Sequence, residues 1–386
     1  EYREIYQREM AKLRDSAEPM AWKQVERVVE AEYEGERLAD LFADFEHEAF
    51  AAASIGQVHR AELADGRRVA VKVQYPGIAE ALEADLANVG VLVRLARALA
   101  PGLDPKAIAT ELRERVLEEL DYEHEAQNQR TFARAYRGHP FVHVPAVMTE
   151  LSRRRVLVSE YVEGRDFEAV KAMDPDVRSR FGEIVFRFAF GSIYHLRHFN
   201  ADTHPGNYLL MDDGRVAFLD FGMTKRLEVE QIELEQAAVD AAARKDPEAL
   251  RLALADLGFV KHPTTLDAER LMDAVMIVGG WYLEDRDYEV SARRVAKVIE
   301  ITTDPRSDYF TLLRKETVPA NELMGRRMET GVLACLAQLG ARRNWHRIMR
   351  EWVYADPPST PLGEAEWAYF ESRGVKRVPG YAGRTG

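Results

Sequence analysis

The residues best suited to chemistry lie between positions 200 and 222. The run Asn200-Ala-Asp-Thr-His-Pro-Gly-Asn207 is followed, after a short apolar stretch, by Asp220-Phe-Gly222. Phosphoryl transfer needs metal ions on the phosphates and a carboxylate near the attacking oxygen. An aspartate, a later asparagine and then Asp-Phe-Gly provide these groups in a known order. We therefore predict that Asp202 is the catalytic-loop aspartate and that Asn207 and Asp220 bind Mg²⁺.

The turn Asp213-Gly214 separates two short apolar runs, residues 208–211 and 216–219. This pattern predicts a hairpin that brings Asn207 and Asp220 to the same end, where both oxygen ligands can meet one ion. Taken singly, Asp202 could be a helix cap and Asp220-Phe-Gly222 a chance tripeptide. The ordered set makes that interpretation unfavourable.

His204 has two open interpretations. Protein kinases carry a catalytic-loop lysine at this place, so His204 could contact a phosphate, although a neutral imidazole would do so weakly. It could equally hold the loop in shape through a hydrogen bond with Asp202.

A second motif resembles a phosphate-binding loop. Residues 51–58 follow the spacing G-x-G-x-x-G-x-V, with alanine at the first two glycine positions and Gly56 at the third. The residues expected to contact the nucleotide here are Ala51, Ala52, Ala53, Ser54, Gly56 and Val58. Because a Cβ atom restricts the backbone, this loop should hold a nucleotide differently from an ordinary glycine-rich loop.

Val69-Ala-Val-Lys72 follows on the next predicted strand. Alternation along that strand points Lys72 away from its neighbours Val71 and Val73. A lone lysine on a strand usually faces solvent, but with the other motifs we expect Lys72 to contact the phosphates.

An acidic run, residues 119–125, is predicted to lie on a helix that begins near Pro105. Glu119, Tyr122 and Glu123 would share one face of that helix, and Asp121 and Glu125 another. Lys72 needs a carboxylate partner, and this helix supplies candidates. An isolated acidic run is more often a solvated face.

The elements around these motifs predict an α+β, bilobal, protein-kinase-like fold. Residues 57–63 and 68–73 read as a hairpin, 142–147 and 155–161 as strands, and 78–99 and 105–136 as long helices. Residues 174–199, and most of the chain from 227 to 367, read as helical. The predicted domains are a helical extension (1–48, with a helix break near residues 18–19), an N-lobe (49–163), a helical C-lobe (164–374) and a loose tail (375–386).

The composition of the chain indicates which classes of partner and which cellular compartment to expect. The net charge of −12 argues against a nucleic-acid partner, since phosphate binding depends on lysine and arginine. A single cysteine, Cys335, indicates a reducing compartment and lies in an apolar run, where a buried side chain is expected. No signal peptide or membrane-spanning helix is evident, which favours a cytoplasmic protein, at most resting on a membrane surface.

With these residues together, the sequence resembles the UbiB (AarF/ABC1-type) family of atypical kinases over about residues 10 to 230. The family's alanine-rich loop matches residues 51–54, its continuations match 55–58 and 72–76, and its ExD motif matches Glu119 and Asp121. Its helix glutamate matches Glu125, and its metal-binding aspartate matches Asp220. Its HADxHPGN motif matches residues 200–207, with Asn200 replacing the first histidine. Its KxGQ motif is expected upstream of residue 1, and the C-terminal membrane helices of some members are not matched.

The resemblance implies ATP binding with Mg²⁺, modest ATPase activity and a role in isoprenoid-lipid or quinone metabolism, with a lipid or quinone-precursor ligand. It also implies added N-terminal helices over the place where protein substrates would bind. In the mechanism we expect, ATP lies between the lobes with adenine near Glu160 and Val162. Lys72, paired with Glu125, holds the α- and β-phosphates, and Asp202 orients the attacking oxygen.

Three functions stay open. Only residues 223–226 separate Gly222 from the next predicted helix, so an extended activation segment for peptide substrates is not expected. The chain could be an ATPase or small-molecule kinase acting on a lipid-like substrate, which the set of Lys72, Asp202, Asn207 and Asp220 favours. It could be a nucleotide-binding scaffold, which the alanine loop and the missing peptide platform favour. It could also be a soluble antibiotic- or sugar-type phosphotransferase, which the alanine loop and the pair Glu119 and Asp121 disfavour.

Overall fold

The computed structural model describes residues 20–82, 84, 110, 113, 117–260, 262–303, 306–307, 322–375 and 378–381. These residues form two compact units. The described part of the first unit consists of residues 20–82, 84, 113, 117–133 and Pro145–Val162. The second unit contains residue 110, Arg134–Val144 and the described residues from Glu163 onward.

A five-stranded antiparallel sheet forms the centre of the first unit. Its strands are β1 (Asp44–Phe45), β2 (Ala51–Ala53), β3 (Gly56–Glu62), β4 (Arg68–Gln74) and β6 (Val156–Glu160). The predicted β3–β4 hairpin is confirmed, and Gly66 in its turn adopts a φ of 84°, which glycine tolerates without steric cost. Val69, Val71 and Val73 are fully buried on one face of β4.

The helix Trp22–Glu32 packs its apolar side onto that valine face. Val25, Val28 and Val29 recur at helical spacing and belong to the same buried cluster as the valines of β4. The predicted helical extension over residues 1–48 needs a correction, because the segment after the short helix Leu38–Leu41 is the strand β1, paired with β3. Residues 1–19, with the predicted helix break, lie outside the described residues, as does most of 78–99.

The predicted long helix over residues 105–136 is also wrong at one point. Helix Tyr122–Ala135 begins after a break at Leu120 and Asp121. The Leu120 carbonyl accepts a hydrogen bond from Gln74 Nε2 (3.0 Å), and the Tyr122 N–H donates to the Arg154 carbonyl (2.9 Å). These groups bond to partners outside the helix instead of continuing the helical ladder, so the chain stops and restarts there.

The second unit is mainly helical. Its described helices of eight residues or more are Pro175–Phe186, Val229–Ala243, Pro247–Asp256, Ala268–Leu283, Ala292–Thr303, Leu323–Leu339, Trp345–Val353 and Pro361–Ser372. Shorter helices are Phe167–Lys171 and Ser192–Leu196. Among the described residues from 227 to 367 the prediction of a mostly helical region is confirmed, although β11 (Tyr288–Glu289) pairs there with β12 (Arg342–Arg343).

Two small sheets of the second unit carry the motif residues. β8 (Tyr208–Leu210) and β9 (Val216–Phe218) form the predicted antiparallel hairpin, and β5 (Val142–His143) runs parallel to β9. β7 (His198–Asn200) pairs with β10 (Thr224–Arg226). The predicted strand over 142–147 is therefore shorter than expected.

The helical prediction for residues 174–199 holds to Leu196 and then fails. Helix Pro175–Phe186 continues through a π-helical turn, Arg187–Gly191, into Ser192–Leu196, and Arg197 then takes a left-handed conformation with φ of 52°. This reversal turns the chain into β7, so Phe199 lies in a strand.

A buried arginine joins the C-terminal helices to this segment. Arg187, fully buried, donates to Glu183 (2.9 Å), Glu351 (2.8 Å) and Glu366 (3.0 Å). Each partner satisfies part of the guanidinium, which is what makes burial of these charges tolerable.

The prediction of a loose C-terminal tail is wrong for the residues that are described there. Val378 is buried and its N–H donates to the Tyr194 carbonyl (3.1 Å), while the Tyr381 N–H donates to the Val353 carbonyl (2.7 Å). Backbone hydrogen bonds and an apolar anchor hold these described residues in place.

Candidate nucleotide and metal site

Lys72 and Glu125 form an ion pair within the first unit. Lys72 lies on β4 between two buried valines and points to the opposite face, and its Nζ is 3.0 Å from Glu125 Oε1 and 2.9 Å from Oε2. The two side chains are 13% and 5% exposed. The ring of Tyr122, one turn before Glu125, lies 4.9 Å from Nζ. The ammonium is thereby held in one position, as a phosphate contact requires.

The alanine-rich loop is a strand rather than an open loop. Ala51–Ala53 forms β2, which pairs with β3 so that Ala53 faces Gly56 across the turn Ser54-Ile55. No residue from 51 to 58 has a positive φ, so alanine fits this backbone without strain.

At position 56, unlike the alanine positions, the structure leaves no room for a side chain. A Cβ atom placed on Gly56 would lie 2.2 Å from the Val73 carbonyl oxygen and 2.9 Å from the Tyr122 hydroxyl. The glycine therefore allows β3 and β4 to approach each other beside Lys72. The contacts predicted between residues 51–58 and a nucleotide stay a prediction.

The acidic run is divided by the helix break. Asp121 caps the helix that carries Glu125, because its carboxylate accepts from the Glu123 N–H (3.0 Å) and its carbonyl from the His124 N–H (3.1 Å). Glu119 precedes the break, so the predicted single helical face of Glu119, Tyr122 and Glu123 is wrong. Roles for Glu119 and Asp121 in catalysis stay predictions.

The side chain of Asn200 forms hydrogen bonds with the backbone of both Asp202 and Asp220, the two aspartates predicted from the sequence. Its Oδ1 accepts from the Asp202 N–H (2.9 Å), and its Nδ2 donates to the Asp220 carbonyl (2.6 Å). Asn200 is buried and ends β7, whose pairing with β10 holds the residues after Asp220 alongside. The loop and the Asp-Phe-Gly segment are therefore fixed to each other through one side chain.

The β8–β9 hairpin brings Asn207 and Asp220 to one end, as predicted. Tyr208 pairs with Phe218, and the Leu219 N–H donates to the Asn207 carbonyl (3.0 Å). Asp220 Oδ1 accepts from the Gly222 N–H (3.0 Å). Fully buried Phe221 anchors the segment.

The residues present suit a magnesium ion. Asn207 Nδ2 donates to Asp202 Oδ2 (2.7 Å), which leaves the amide oxygen of Asn207 as the atom able to bind a cation. A carboxylate oxygen of Asp220 would be the second hard ligand, and water and phosphates would supply the remaining ligands that Mg²⁺ prefers. Metal binding by Asn207 and Asp220 stays a prediction. Among the described residues there is no cluster of three or more His, Cys, Asp or Glu side chains that could bind a metal ion without ligands from elsewhere.

Two further predicted residues have local contacts. Nδ1 of the exposed His204 accepts from the Gly206 N–H (3.0 Å), which stabilises the loop turn. Glu160, at the end of β6, accepts from the Ala146 N–H (3.1 Å). A phosphate contact of His204 and adenine contacts of Glu160 and Val162 stay predictions.

Cys335 contacts the loop of residues 200–207, which contains the predicted catalytic Asp202. Its thiol donates to the Thr203 carbonyl (3.3 Å), and burial raises its pKa to about 12. The expected burial of Cys335 is confirmed, and the raised pKa disfavours the thiolate, which is the nucleophilic form.

Sequence reasoning missed Arg327. Its Nη2 lies 3.3 Å from Asp202 Oδ1, and it belongs to helix Leu323–Leu339. That helix packs tightly on the loop, since a Cβ on Gly331 would lie 1.8 Å from Thr203 Oγ1. The pattern Arg327-x-x-x-Gly331 was the available signal, and it is a weak one because the same helix also carries Arg326 and Glu329.

Residues 12–254 match the family model of the ABC1 atypical kinase-like domain. The chain belongs to the ABC1 family of atypical kinases. The resemblance to UbiB proteins is therefore confirmed, and the match extends beyond residue 230, where it was expected to end.

Curated relatives of this ABC1 protein include the rat mitochondrial atypical kinase COQ8B, 32% identical over 76% of this chain and 56% of the relative. The atypical kinase coq-8 of Caenorhabditis elegans is 29% identical over 79% of this chain and 42% of the relative. The chain thus spans about half the length of these relatives.

A solved relative supports the fold. The Rv3197–erythromycin complex from Mycobacterium tuberculosis has a TM-score of 0.72 and 29% identity, covering 90% of this chain and 87% of that one. The predicted α+β, kinase-like fold is confirmed. Among the described residues, no helix is long and apolar enough to cross a bilayer.

Proposed function

We propose that this ABC1 protein binds ATP with Mg²⁺ and either hydrolyses it or transfers its terminal phosphoryl group. The observation that carries the proposal is the hydrogen-bonded set around Asp202. Asn200 links its backbone to Asp220, and Asn207 bonds its carboxylate. Phosphoryl transfer depends on such positioning of metal ligands and of the carboxylate beside the attacking oxygen.

Each residue has a defined part. Lys72, held by Glu125, contacts the α- and β-phosphates, and Asn207 and Asp220 hold Mg²⁺. The metal ion neutralises charge on the phosphates when bound. Asp202 accepts a hydrogen bond from the attacking water or hydroxyl and orients it.

The substrate class we propose is a lipid-like molecule of isoprenoid or quinone metabolism, reached by contact with a membrane surface. Family membership supports this choice. The short connection after Gly222, in which β10 leads to a helix beginning at Val229, offers no long segment on which a peptide could lie.

A regulated nucleotide-binding scaffold is the second candidate. The observation in its favour is Arg327, which bonds the carboxylate oxygen of Asp202 that a nucleophile would use. Tight MgATP binding without turnover, in the presence of lipid vesicles, would support the scaffold instead.

The deciding experiment compares MgATP-dependent thermal stabilisation of the wild type, Asp220→Asn and Asp213→Asn. A ligand that binds only the folded state raises its stability by mass action. Asn at position 220 keeps an oxygen for the Gly222 N–H, so the fold should survive. Asp213 lies in the turn at the opposite end of the same hairpin and serves as the matched control.

We expect Mg²⁺-dependent stabilisation in the wild type and Asp213→Asn, and its loss in Asp220→Asn. Equal Mg²⁺-dependent stabilisation of all three proteins would overturn the assignment of Asp220. Turnover of ATP, measured with and without quinone-like lipids in vesicles, then separates the enzyme from the scaffold.

A further inference from the structure

The helices of the second unit line an apolar pocket of about 420 Å³. Helices Val229–Ala243, Pro247–Asp256, Ala268–Leu283 and Leu323–Leu339 all contribute to its walls. Its apolar lining includes Phe190, Phe199, Leu254, Val260, Leu271 and Met328. Protein interiors rarely contain voids much larger than a water molecule, and this volume falls in the range of small-molecule sites.

Charged side chains gather on part of the lining. Glu329 is fully engaged, because it accepts from the Tyr282 hydroxyl (2.8 Å) and pairs with Arg326 (2.6 Å). Glu322 accepts from Gln231 Nε2 (2.5 Å). These contacts keep two of the lining carboxylates occupied.

Glu235 differs from both. It lies on helix Val229–Ala243 and lines the pocket, and its carboxylate has no hydrogen bond or ion pair with any residue that the structure describes. Burial, together with Glu322 and Glu329, raises the pKa of Glu235 to about 7, against the opposing effect of Arg326. Glu235 is half-buried, and a carboxyl that lines a pocket without a partner is a candidate for ligand binding.

We propose that this pocket binds a small apolar molecule that carries a protonated amine, with the amine on Glu235 and the apolar body against the surrounding helices. Charge decides the choice of head group. Among the described residues that line the pocket, the carboxylates Glu235, Glu322 and Glu329 face a single cation, Arg326. An anionic head group would meet a net negative lining, whereas an ammonium would gain the partner that Glu235 lacks. The proposal does not depend on nucleotide binding.

Binding should be coupled to protons. The groups that act on Glu235 are Glu322, Arg326, Glu329 and, on β10, Lys225. Tyr194 and Tyr282 also line the pocket, but burial raises the pKa of each above its usual value, so both stay neutral. An ammonium beside Glu235 favours the ionised carboxylate. Binding near pH 7 should therefore release a fraction of a proton from the protein.

The test uses three probes with the same apolar body: 4-phenylbutylamine, 4-phenylbutan-1-ol and 5-phenylpentanoate. Isothermal titration calorimetry of the full chain, in two buffers of different ionisation enthalpy, gives both affinity and proton release. We expect the amine to bind about tenfold or more tighter than the alcohol, with proton release, and the carboxylate to bind most weakly.

Two variants locate the site. Glu235→Gln should remove the preference for the amine and the proton release while the alcohol still binds. Gly325→Leu should weaken all three probes, because the position next to Gly325 is open apart from Glu322 at 4.0 Å and a leucine would fill the pocket. The matched control is Glu233→Gln, an exposed residue of the same helix.

Circular dichroism and thermal unfolding establish that each variant is folded. An amine affinity that is unchanged in both Glu235→Gln and Gly325→Leu would overturn the proposal. Failure of the amine to bind the folded wild type at millimolar concentration would overturn it as well.

Discussion

Arg327 donates to the carboxylate of Asp202, with 3.3 Å between Nη2 and Oδ1. The other carboxylate oxygen of Asp202 accepts from Asn207 (2.7 Å), so both oxygens of the proposed catalytic group have partners. Arg327 is 57% exposed and Asp202 20% exposed. An arginine in this position competes with any water or hydroxyl that must approach Oδ1.

Replacing Arg327 should therefore release Asp202. We expect Arg327→Gln to raise the turnover number for ATP by up to about fivefold, because an exposed ion pair contributes at most about 1 kcal/mol. The gain should shrink at high salt, which already screens the pair in the wild type. Steady-state ATPase assays at two salt concentrations measure this, with the exposed Arg342→Gln as the control. A fall in turnover would show instead that Arg327 contacts the phosphates.

Replacing Asn200 should lower the turnover number strongly, although Asn200 itself is not expected to contact the nucleotide. Asn200→Ala removes the bonds to the Asp202 N–H and the Asp220 carbonyl, which allows the loop and the metal ligand to separate. We expect the turnover number to fall by about tenfold or more, since small displacements of catalytic groups are costly. The free energy of unfolding should fall by about 1–3 kcal/mol.

Asn200→His is the informative partner variant. Histidine can donate to the Asp220 carbonyl, and it stands at this position in the family's motif. Turnover and apparent Mg²⁺ affinity should therefore recover part of the loss in Asn200→Ala. Equal defects in the two variants would indicate that the link between the loop and Asp220 is unimportant.

The sequence predicted the parts of the site whose positions depend on local chain geometry. The turn Asp213-Gly214 was sufficient to place Asn207 and Asp220 together, and strand alternation was sufficient to orient Lys72. Sequence reasoning failed where a residue distant in the chain determines the local structure. The helix break at Leu120 arises because Gln74, far away in the chain, takes its carbonyl. Arg327 and Glu235 likewise acquire their surroundings only from tertiary packing, which no spacing reveals.

The Lys72–Glu125 pair separates stability from nucleotide binding. Lys72→Met leaves the buried Glu125 without the ammonium that pairs with it, and should lower the free energy of unfolding by about 3 kcal/mol. Adding Glu125→Leu should restore most of that stability by removing the buried charge. Neither variant should gain stability from MgATP. Urea unfolding with and without nucleotide measures both effects, and nucleotide stabilisation of the double variant would exclude Lys72 as a phosphate contact.

His139 should make the second unit sensitive to mild acid. Burial, the largest influence, lowers the pKa of His139 to about 3, and its Nδ1 accepts from the Val142 N–H (3.2 Å), so the folded protein holds it neutral. The unfolded chain takes up a proton at its ordinary pKa of about 6.5. Stability is therefore fully present above about pH 6.5 and is lost as the pH falls toward 3, by up to about 1.4 kcal/mol per pH unit.

Glu366 extends the loss to lower pH. Burial raises its pKa, but His195 at 3.8 Å and Arg187 at 3.0 Å outweigh that effect and lower it to about 2. Its contribution is present above its unfolded pKa and disappears between about pH 4.5 and 2. Between about pH 6.5 and 5, Glu366 does not contribute, but burial also lowers the pKa of His59 and His346 and raises that of Glu235. The contribution of His139 is therefore the difference in slope between the wild type and a variant that lacks this histidine.

Urea unfolding across that range provides the measurement, with His139→Gln as the test variant and the exposed His262→Gln as the control. The slope of unfolding free energy against pH should be shallower by about one proton in His139→Gln and unchanged in His262→Gln. The slope, unlike the absolute stability, is insensitive to any packing defect caused by the substitution. Parallel slopes in all three proteins would mean that His139 is protonated in the folded state, and the Val142 N–H would then need another acceptor.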